Sequence, residues 1–322
     1  MSWLLITLLA YFLNAVAMVT DKALLKKNKI EHPFVYVFYI AALGCLLMLF
    51  LIPFGLKIPD GLTILVSLFA GATFVWALLL MFSALKKDEA SRVNPMVGGL
   101  TPIFVFLFAW YILEEKLNCD QYAGLIFLII GSLLIALDFH KHGALTWLKK
   151  KLGFKPKFSL PQIKKTIWLV LPSAALFGVS SVLTKLVYSQ IQFLTGFIWT
   201  RAGSLIAVIL LLFIPANFQA VKASFKSNKN NASQTKKTGA MFLLGQACGG
   251  SSAILQQYAI FLGSVTLVQA LQGIQYVFIF IFAVLLTTFL PKIIKEEMTK
   301  EILMQKIIAI ILIIIGLYFI AV

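Results

Sequence analysis

Two stretches of this sequence concentrate polar side chains among apolar ones. GQACGGSSAILQQYA (245–259) carries Gln246, Ser251, Ser252, Gln256 and Gln257, and VQALQGIQYVF (268–278) carries Gln269, Gln272, Gln275 and Tyr276. Spacings of three and four put Gln269, Gln272 and Tyr276 on one helical face. Carboxamides both donate and accept hydrogen bonds. Such a face suits an uncharged polar group: an amino-acid backbone, a sugar or a nucleobase. The competing use is helix-to-helix hydrogen bonding, which in membranes averages about 0.6 kcal/mol per contact. Asn14 and Asn94 are lone amides earlier in the chain, and Trp76 offers an apolar wall.

Two basic residues fall within apolar stretches, Arg201 about two turns in and Lys185 in a last turn. A charge at bilayer depth costs at least about 2.5 to 3.5 kcal/mol, so each is a functional candidate by default. Lys185 is read as snorkelling to the nearby interface. Arg201 is read as supporting a solute carboxylate or positioning a helix, with snorkelling as the alternative. All 12 acidic residues lie at span ends or in connections, the nearest to a core being Asp21 and Glu114. A carrier of lipophilic cations would need a deep carboxylate, so neutral, zwitterionic or anionic solutes are favoured. His32, His140 and His142 all fall in connections, and no nucleophile elbow or phosphate-cradling loop occurs. Catalysis, a cofactor, a resident metal and ATP-driven transport within the chain are not expected.

The elements that must position these residues follow from composition. Of 322 residues 61% are apolar and 12% charged, against roughly 45–50% and about 25% in soluble domains. This excludes a soluble enzyme. Ten apolar segments, roughly 3–20, 34–53, 62–85, 93–113, 121–137, 167–188, 193–215, 239–262, 265–290 and 302–321, are long enough to cross the bilayer. The expected fold class is therefore an all-α integral membrane protein of ten transmembrane helices. The formal charge of +16 is read as topology and not as a nucleic-acid footprint, because 24 of the 28 Lys and Arg lie in or at the edges of odd-numbered connections. By the positive-inside rule those connections are cytoplasmic and both termini lie outside the inner membrane. The basic fifth connection interleaves Trp147, Leu148, Leu152, Phe154 and Phe158 with lysines. Across 141–165 it reads either as an amphipathic segment on an anionic inner leaflet or as a plain solvated linker. The seventh connection (216–237) reads as polar and mobile. Three scattered cysteines give no disulfide framework.

An internal repeat is also legible. Residues 84–106 align without gaps onto 259–281, matching Ala84 with Ala259, Val93 with Val268, Gly98 with Gly273 and Asn94 with Gln269; Thr20 likewise matches Thr184, and Ile52-Pro53 matches Ile214-Pro215. Five spans per copy is odd, so the copies enter from opposite faces as two inverted five-helix repeats, with a shared cavity near the midplane. Expected boundaries are a first repeat at 1–138, a basic linker at 139–165 and a second repeat at 166–322.

The stretch from Ala84 to Leu137 combines an Ala-Leu pair before a polar turn, a mid-span Pro102, an acidic pair at Glu114 and Glu115, and a glycine-spaced helix with Gly124 and Gly131. This resembles the EamA-type domain of the drug/metabolite transporter superfamily. The second half is looser: it keeps Gly316 and the acidic pair Glu296 and Glu297, has Val277 in place of Pro102, and inserts residues from Pro291. The resemblance implies a secondary transporter or exporter of small metabolites, with a cavity formed mainly by spans one, three, four, six, eight and nine. It also implies cytoplasmic termini in many ten-span members, against the lysine count, which is the reading kept here.

The expected activity is alternating-access transport of a small polar metabolite, amino acids first. Asn14, Trp76, Asn94, Arg201, Gln246, Ser251, Gln256, Gln269, Gln272 and Tyr276 are the candidate binding residues. A lipid-linked substrate translocase and a non-transporting scaffold are the alternatives. Expected partners are the solute and membrane lipid, with a homodimer left open. Cys119 lies in the fourth connection, so a membrane-impermeant maleimide added to intact cells should label it; labelling only after permeabilisation would invert the topology.

Overall fold

The structure, a computed structural model, describes residues 2–24, 32–88, 90–136, 161–227, 236–289 and 300–321. Those residues form helices and turns, with no strand among them. In chain order the helices are α1 (Ser2–Leu24), α2 (Pro33–Leu51, continued by a 3-10 turn at Ile52–Phe54), α3 (Gly61–Lys87), α4 (Ala90–Ile112), α5 (Cys119–Ala136), α6 (Pro161–Gln190), α7 (Phe193–Leu212), α8 (Pro215–Ser227), α9 (Lys236–Leu262), α10 (Val265–Ala270), α11 (Gln272–Phe289) and α12 (Lys300–Ala321).

Among the described residues, seven segments are long and apolar enough to cross a membrane: Ser2–Thr20, Pro33–Phe54, Gly61–Lys87, Thr166–Gln190, Phe193–Leu212, Val265–Leu285 and Leu303–Ala321. Two shorter apolar helices, Met96–Ile112 and Cys119–Ile135, fall in α4 and α5. The remaining expected span, α9, is a helix of 27 residues. Its hydropathy is lowered by Lys236 and Lys237 and by the Gln-, Ser- and Gly-rich stretch that faces α1. The protein is thus an all-helical, multi-pass membrane protein.

Two sequence expectations change. The seventh connection is read as polar and mobile, yet its first part folds as α8, with Pro215 at the first helical position and Val221 buried. Tyr39 of α2 hydrogen-bonds Ser224 of α8 at 3.1 Å, and Phe225 meets the rings of Phe38 and Tyr39 edge-on. Helix α6 begins at Pro161, inside the segment expected to be linker. The remainder of that amphipathic stretch (137–160) and residues 228–235 lie outside the described residues.

Helix association in lipid gains nothing from expelling water, so it relies on close backbone approach and on hydrogen bonds between helices. Both are present. A Cβ on Gly203 of α7 would collide with the backbone of Leu68 in α3, and one on Gly71 of α3 would collide with the Thr200 carbonyl. The Ser204 hydroxyl ties the same two helices by donating to the Gly71 carbonyl at 3.1 Å. Between α5 and α12, a Cβ on Gly124 would lie 2.8 Å from the Gly316 carbonyl, and one on Gly316 would lie 2.8 Å from the Gly124 carbonyl. The most extensive pairings are α1 on α9, α3 on α6 and α5 on α12. Serines stitch two of them: Ser252 donates to Ala10 O at 2.7 Å, while Ser173 and Ser180 donate to Ala77 O and Ala70 O at 2.8 Å.

At the end of the bundle that carries the even-numbered connections, Asp60 caps α3. Its carboxylate accepts from the Thr63 N–H at 3.0 Å and the Thr63 hydroxyl at 2.6 Å, and these bonds hold its carboxyl below the usual carboxylate range.

Because Gly203 abuts backbone that cannot move aside, Gly203→Val should lower the thermal unfolding midpoint in detergent. The expected loss is about 1–3 kcal/mol, the range for overpacking. Gly250→Ala, where a Cβ meets nothing within 4 Å, should leave the midpoint unchanged.

Candidate functional site

The amides meet where α1, α4, α9 and the pair α10–α11 come together. The ninth apolar segment is one span in the sequence but two helices in the structure, parted at Leu271. The break lets successive amides face different neighbours. Before it, Gln269 is buried and donates to Ser181 Oγ of α6 at 2.9 Å. After it, Gln272 and Tyr276 both border Gly98 of α4; a Cβ there would collide with the Tyr276 hydroxyl and lie 3.1 Å from Gln272 Nε2. Tyr276 donates its hydroxyl to the Asn94 carbonyl at 3.1 Å. One residue before Tyr276, Gln275 is 1% exposed and accepts from Asn14 Nδ2 at 2.8 Å.

Tyr11 is the hub on α1. It is 1% exposed, donates to the Val268 carbonyl at 2.9 Å and accepts from Gln256 Nε2 at 3.1 Å. The sequence pattern gave no signal for it, because one tyrosine in an apolar run looks like packing. Gln256 and Gln257 are adjacent on α9 and turn apart. Gln256 faces Tyr11, while Gln257 accepts from the Tyr188 hydroxyl of α6 at 3.3 Å.

Asn94 stands out within this group. Its side-chain oxygen Oδ1 is buried and has no hydrogen-bond partner among the described residues. Leaving a buried acceptor unmet costs about 1–3 kcal/mol, and such groups in a native fold call for an explanation. Gln272, its neighbour across Gly98, makes no hydrogen bond among the described residues.

The other candidates are arranged differently. Trp76 is 48% exposed on α3, and no ring or polar contact joins it to the amides. Ser251 lies on the exposed face of α9, where its neighbour Ser252 makes the bond to α1. Gln246 is partly buried, without a polar contact among the described residues. Arg201 lies on the far side of α9 from Tyr11. Its guanidinium stacks over Phe197 at 4.9 Å and Phe74 at 5.6 Å, and Gly44 of α2 lies against its side chain.

Lys185 does not simply snorkel. Its ammonium donates to the carbonyls of Ile260, Phe261 and Gly263 at 2.9, 3.2 and 2.6 Å, capping the C-terminus of α9, where a cation complements the helix dipole. The same end carries several contacts between N-terminal and C-terminal halves of the chain. Glu115 accepts from Thr266 Oγ1 at 2.6 Å, Trp3 packs on Gly263, and Thr63 Oγ1 meets Gln190 Oε1 at 2.7 Å. Thr195 donates to the Gly55 carbonyl at 3.0 Å, and Trp199 Nε1 to the Lys57 carbonyl at 3.1 Å. Glu114, at φ +51°, makes the left-handed turn that closes α4 and sets Glu115 in place. Sequence reading also missed a basic residue within a span. Lys306 lies in α12, with its ammonium over the Phe280 ring at 4.7 Å.

A polytopic helical bundle with carboxamides and an arginine turned towards its helix interfaces is the kind of protein that handles polar solutes within the membrane. Residues 1–137 match the EamA-like transporter family, of the drug/metabolite transporter superfamily. Over that stretch the chain is similar to multi-pass membrane transporters, in keeping with its apolar helices. A crystal structure of another protein superposes with a TM-score of 0.63 over 99% of this chain and 96% of that one, at 17% identity. That likeness extends the shared fold along nearly the whole chain and speaks to fold alone. No curated protein sequence matches.

Proposed function

We propose that this protein is a secondary carrier of a small polar metabolite, an amino acid or related solute. It works by alternating access between two inverted five-helix halves, 1–138 and 166–322, joined by the basic linker 139–165. Several packing relations support the inverted arrangement. Under the map of each span onto the one five later, the α1–α9 pairing becomes the α6–α3 pairing, and α4 on α6 becomes α11 on α1. The crossing of α5 and α12 has the same property. Gly131 of α5 abuts the Ala309 carbonyl, and Gly316 of α12 abuts that of Gly124, which are equivalent contacts once Gly131 is aligned with Gly316.

The observation that carries the solute assignment is the buried Oδ1 of Asn94, unmet among the described residues and one helical turn before Gly98, which the uncommitted amide of Gln272 borders. An acceptor and a donor–acceptor pair side by side fit a solute ammonium or hydroxyl next to a carbonyl or second hydroxyl. Gln256 reaches the same region through Tyr11 and is the third ligand. The break at Leu271 allows Gln272 to swing with α11 while Gln269 stays on α6. Arg201 holds a solute carboxylate only when α2, α3 and α7 part, since the space beside its guanidinium is the size of about one water. The contacts between the halves, Glu115 with Thr266, Thr63 with Gln190 and Trp3 with Gly263, form the closed gate at the even-connection end, beside the Lys185 cap on α9. They are few and mostly polar, so they can break and remake as the halves rock. The lysine bias supports placing that end outside the inner membrane, with the linker against the anionic cytoplasmic leaflet.

In proteoliposomes, Asn94→Ala and Gln272→Ala should each lower the ratio kcat/KM for the transported solute about tenfold or more, the loss of one buried hydrogen bond of about 1–3 kcal/mol. Gln256→Ala should cost less, because Tyr11 keeps its bond to Val268. Unchanged uptake in all three variants would remove the amide group from the binding site.

A further inference from the structure

A second polar place, at Arg201, is set apart from the amides while α2, α3 and α7 are packed together. Arg201 is the ninth residue of α7, about 12 Å along its axis, and no carboxylate pairs with it among the described residues. Its two rings recover part of the cost of a charge at that depth, since cation–π contacts reach about 2 kcal/mol when desolvated. They do nothing for the guanidinium N–H groups, five donors that want acceptors. Beside the guanidinium lies a cavity of about 20 Å³ lined by Thr184, Thr200, Arg201, Ser204, Gln257 and small residues of α3 and α6.

The hydroxyl hydrogens around this cavity are already committed. Thr184 donates to Ser180 O at 2.7 Å, Thr200 to Phe197 O at 2.9 Å, and Ser204 to the Gly71 and Thr200 carbonyls at 3.1 and 3.3 Å. Gln257 spends its oxygen on the Tyr188 hydroxyl, which leaves its amide N–H pair for the cavity. The uncommitted hydrogens bordering this space are therefore those of Arg201 and Gln257, next to a fixed positive charge. A cavity of about 20 Å³ admits one water or one monoatomic ion and no polyatomic metabolite. We infer that Arg201 and Gln257 form a halide-binding site between α3, α6, α7 and α9, in which a chloride-like anion neutralises the guanidinium inside the membrane. The inference does not rest on which solute the amides bind. It makes the anion a ligand of the carrier in its closed form, able to stabilise that form by mass action.

The test is the thermal unfolding midpoint of the full chain in detergent at constant ionic strength, with sodium gluconate replaced stepwise by chloride or bromide. The expected result is a saturable rise of a few degrees with either halide. It should be absent in Arg201→Met, which removes the charge without burying a new polar group. In Gln257→Leu the half-saturating concentration should rise about tenfold. A bromide anomalous peak beside Arg201 in crystals of the wild-type protein is the second expected result. No halide dependence, or a non-saturating rise equal in wild type and Arg201→Met, would mean that the cavity holds only water and would overturn the site. If Arg201→Met fails to fold, Gln257→Leu and the bromide peak decide. Solute-induced stabilisation in gluconate alone reads the amide site separately, so the two proposals fail independently.

Discussion

Helices surrounded by hydrocarbon gain nothing from hiding apolar side chains from one another, so what holds this bundle together is backbone brought against backbone. The contacts of Gly71 and Gly203 between α3 and α7, and of Gly124 and Gly316 between α5 and α12, are the clearest cases. At such separations there is no room for side chains on the facing surface, and dispersion with carbonyl dipoles replaces the hydrophobic term. The pairings stitched by serine, Ser252 to Ala10 and Ser180 to Ala70, add direction to that packing by fixing one rotation of each helix against its neighbour. Everything polar elsewhere in the interior is placed by these rigid crossings.

That constraint explains why the amides fall into two groups. Asn14 with Gln275, Gln256 with Tyr11, and Gln269 with Ser181 are paired; the first two pairs join the N-terminal and C-terminal halves of the chain, and the third joins two helices of the C-terminal half. Asn94 Oδ1 is buried and unpaired one helical turn before Gly98, which Gln272 borders and which lets the Tyr276 hydroxyl approach α4. A buried acceptor left bare among the described residues is the feature that the proposed solute would meet. The break at Leu271 serves the same end, since a continuous helix would lock Gln272 to the face set by Gln269. At the even-connection end the Lys185 ammonium meets carbonyls at the end of α9, and the Glu115 carboxylate meets the Thr266 hydroxyl.

Much of the fold was legible in the sequence because span length and apolar composition are read directly against bilayer thickness. Nine of the ten expected segments coincide with long or shorter apolar helices. The exception, α9, is informative: the polar residues that mark it as functional are also those that lower its hydropathy. The amide stretches were legible because Gln and Asn are conspicuous in apolar runs. What escaped were roles set by three-dimensional neighbours. Tyr11 became a hub only once Val268 and Gln256 were brought to it. Lys185 became a helix cap only because α9 ends beside it, 75 to 78 residues away in sequence. Lys306 was counted with a connection because the helix boundary could not be fixed within a turn. Helix α8 was hidden because its composition is that of a linker, and its one buried face depends on the rings of α2.

The central claim is that the amide group binds a small polar solute in a carrier of the drug/metabolite type. Thermal unfolding of the purified protein against a panel of amino acids, sugars, nucleosides and organic cations tests it most directly, because a ligand held only by the folded state raises the midpoint by mass action. The account calls for a selective rise with one class of polar, uncharged or zwitterionic solute, amino acids first, and for its loss in Asn94→Ala. A rise with organic cations alone, or a selective rise that survives Asn94→Ala undiminished, would contradict it.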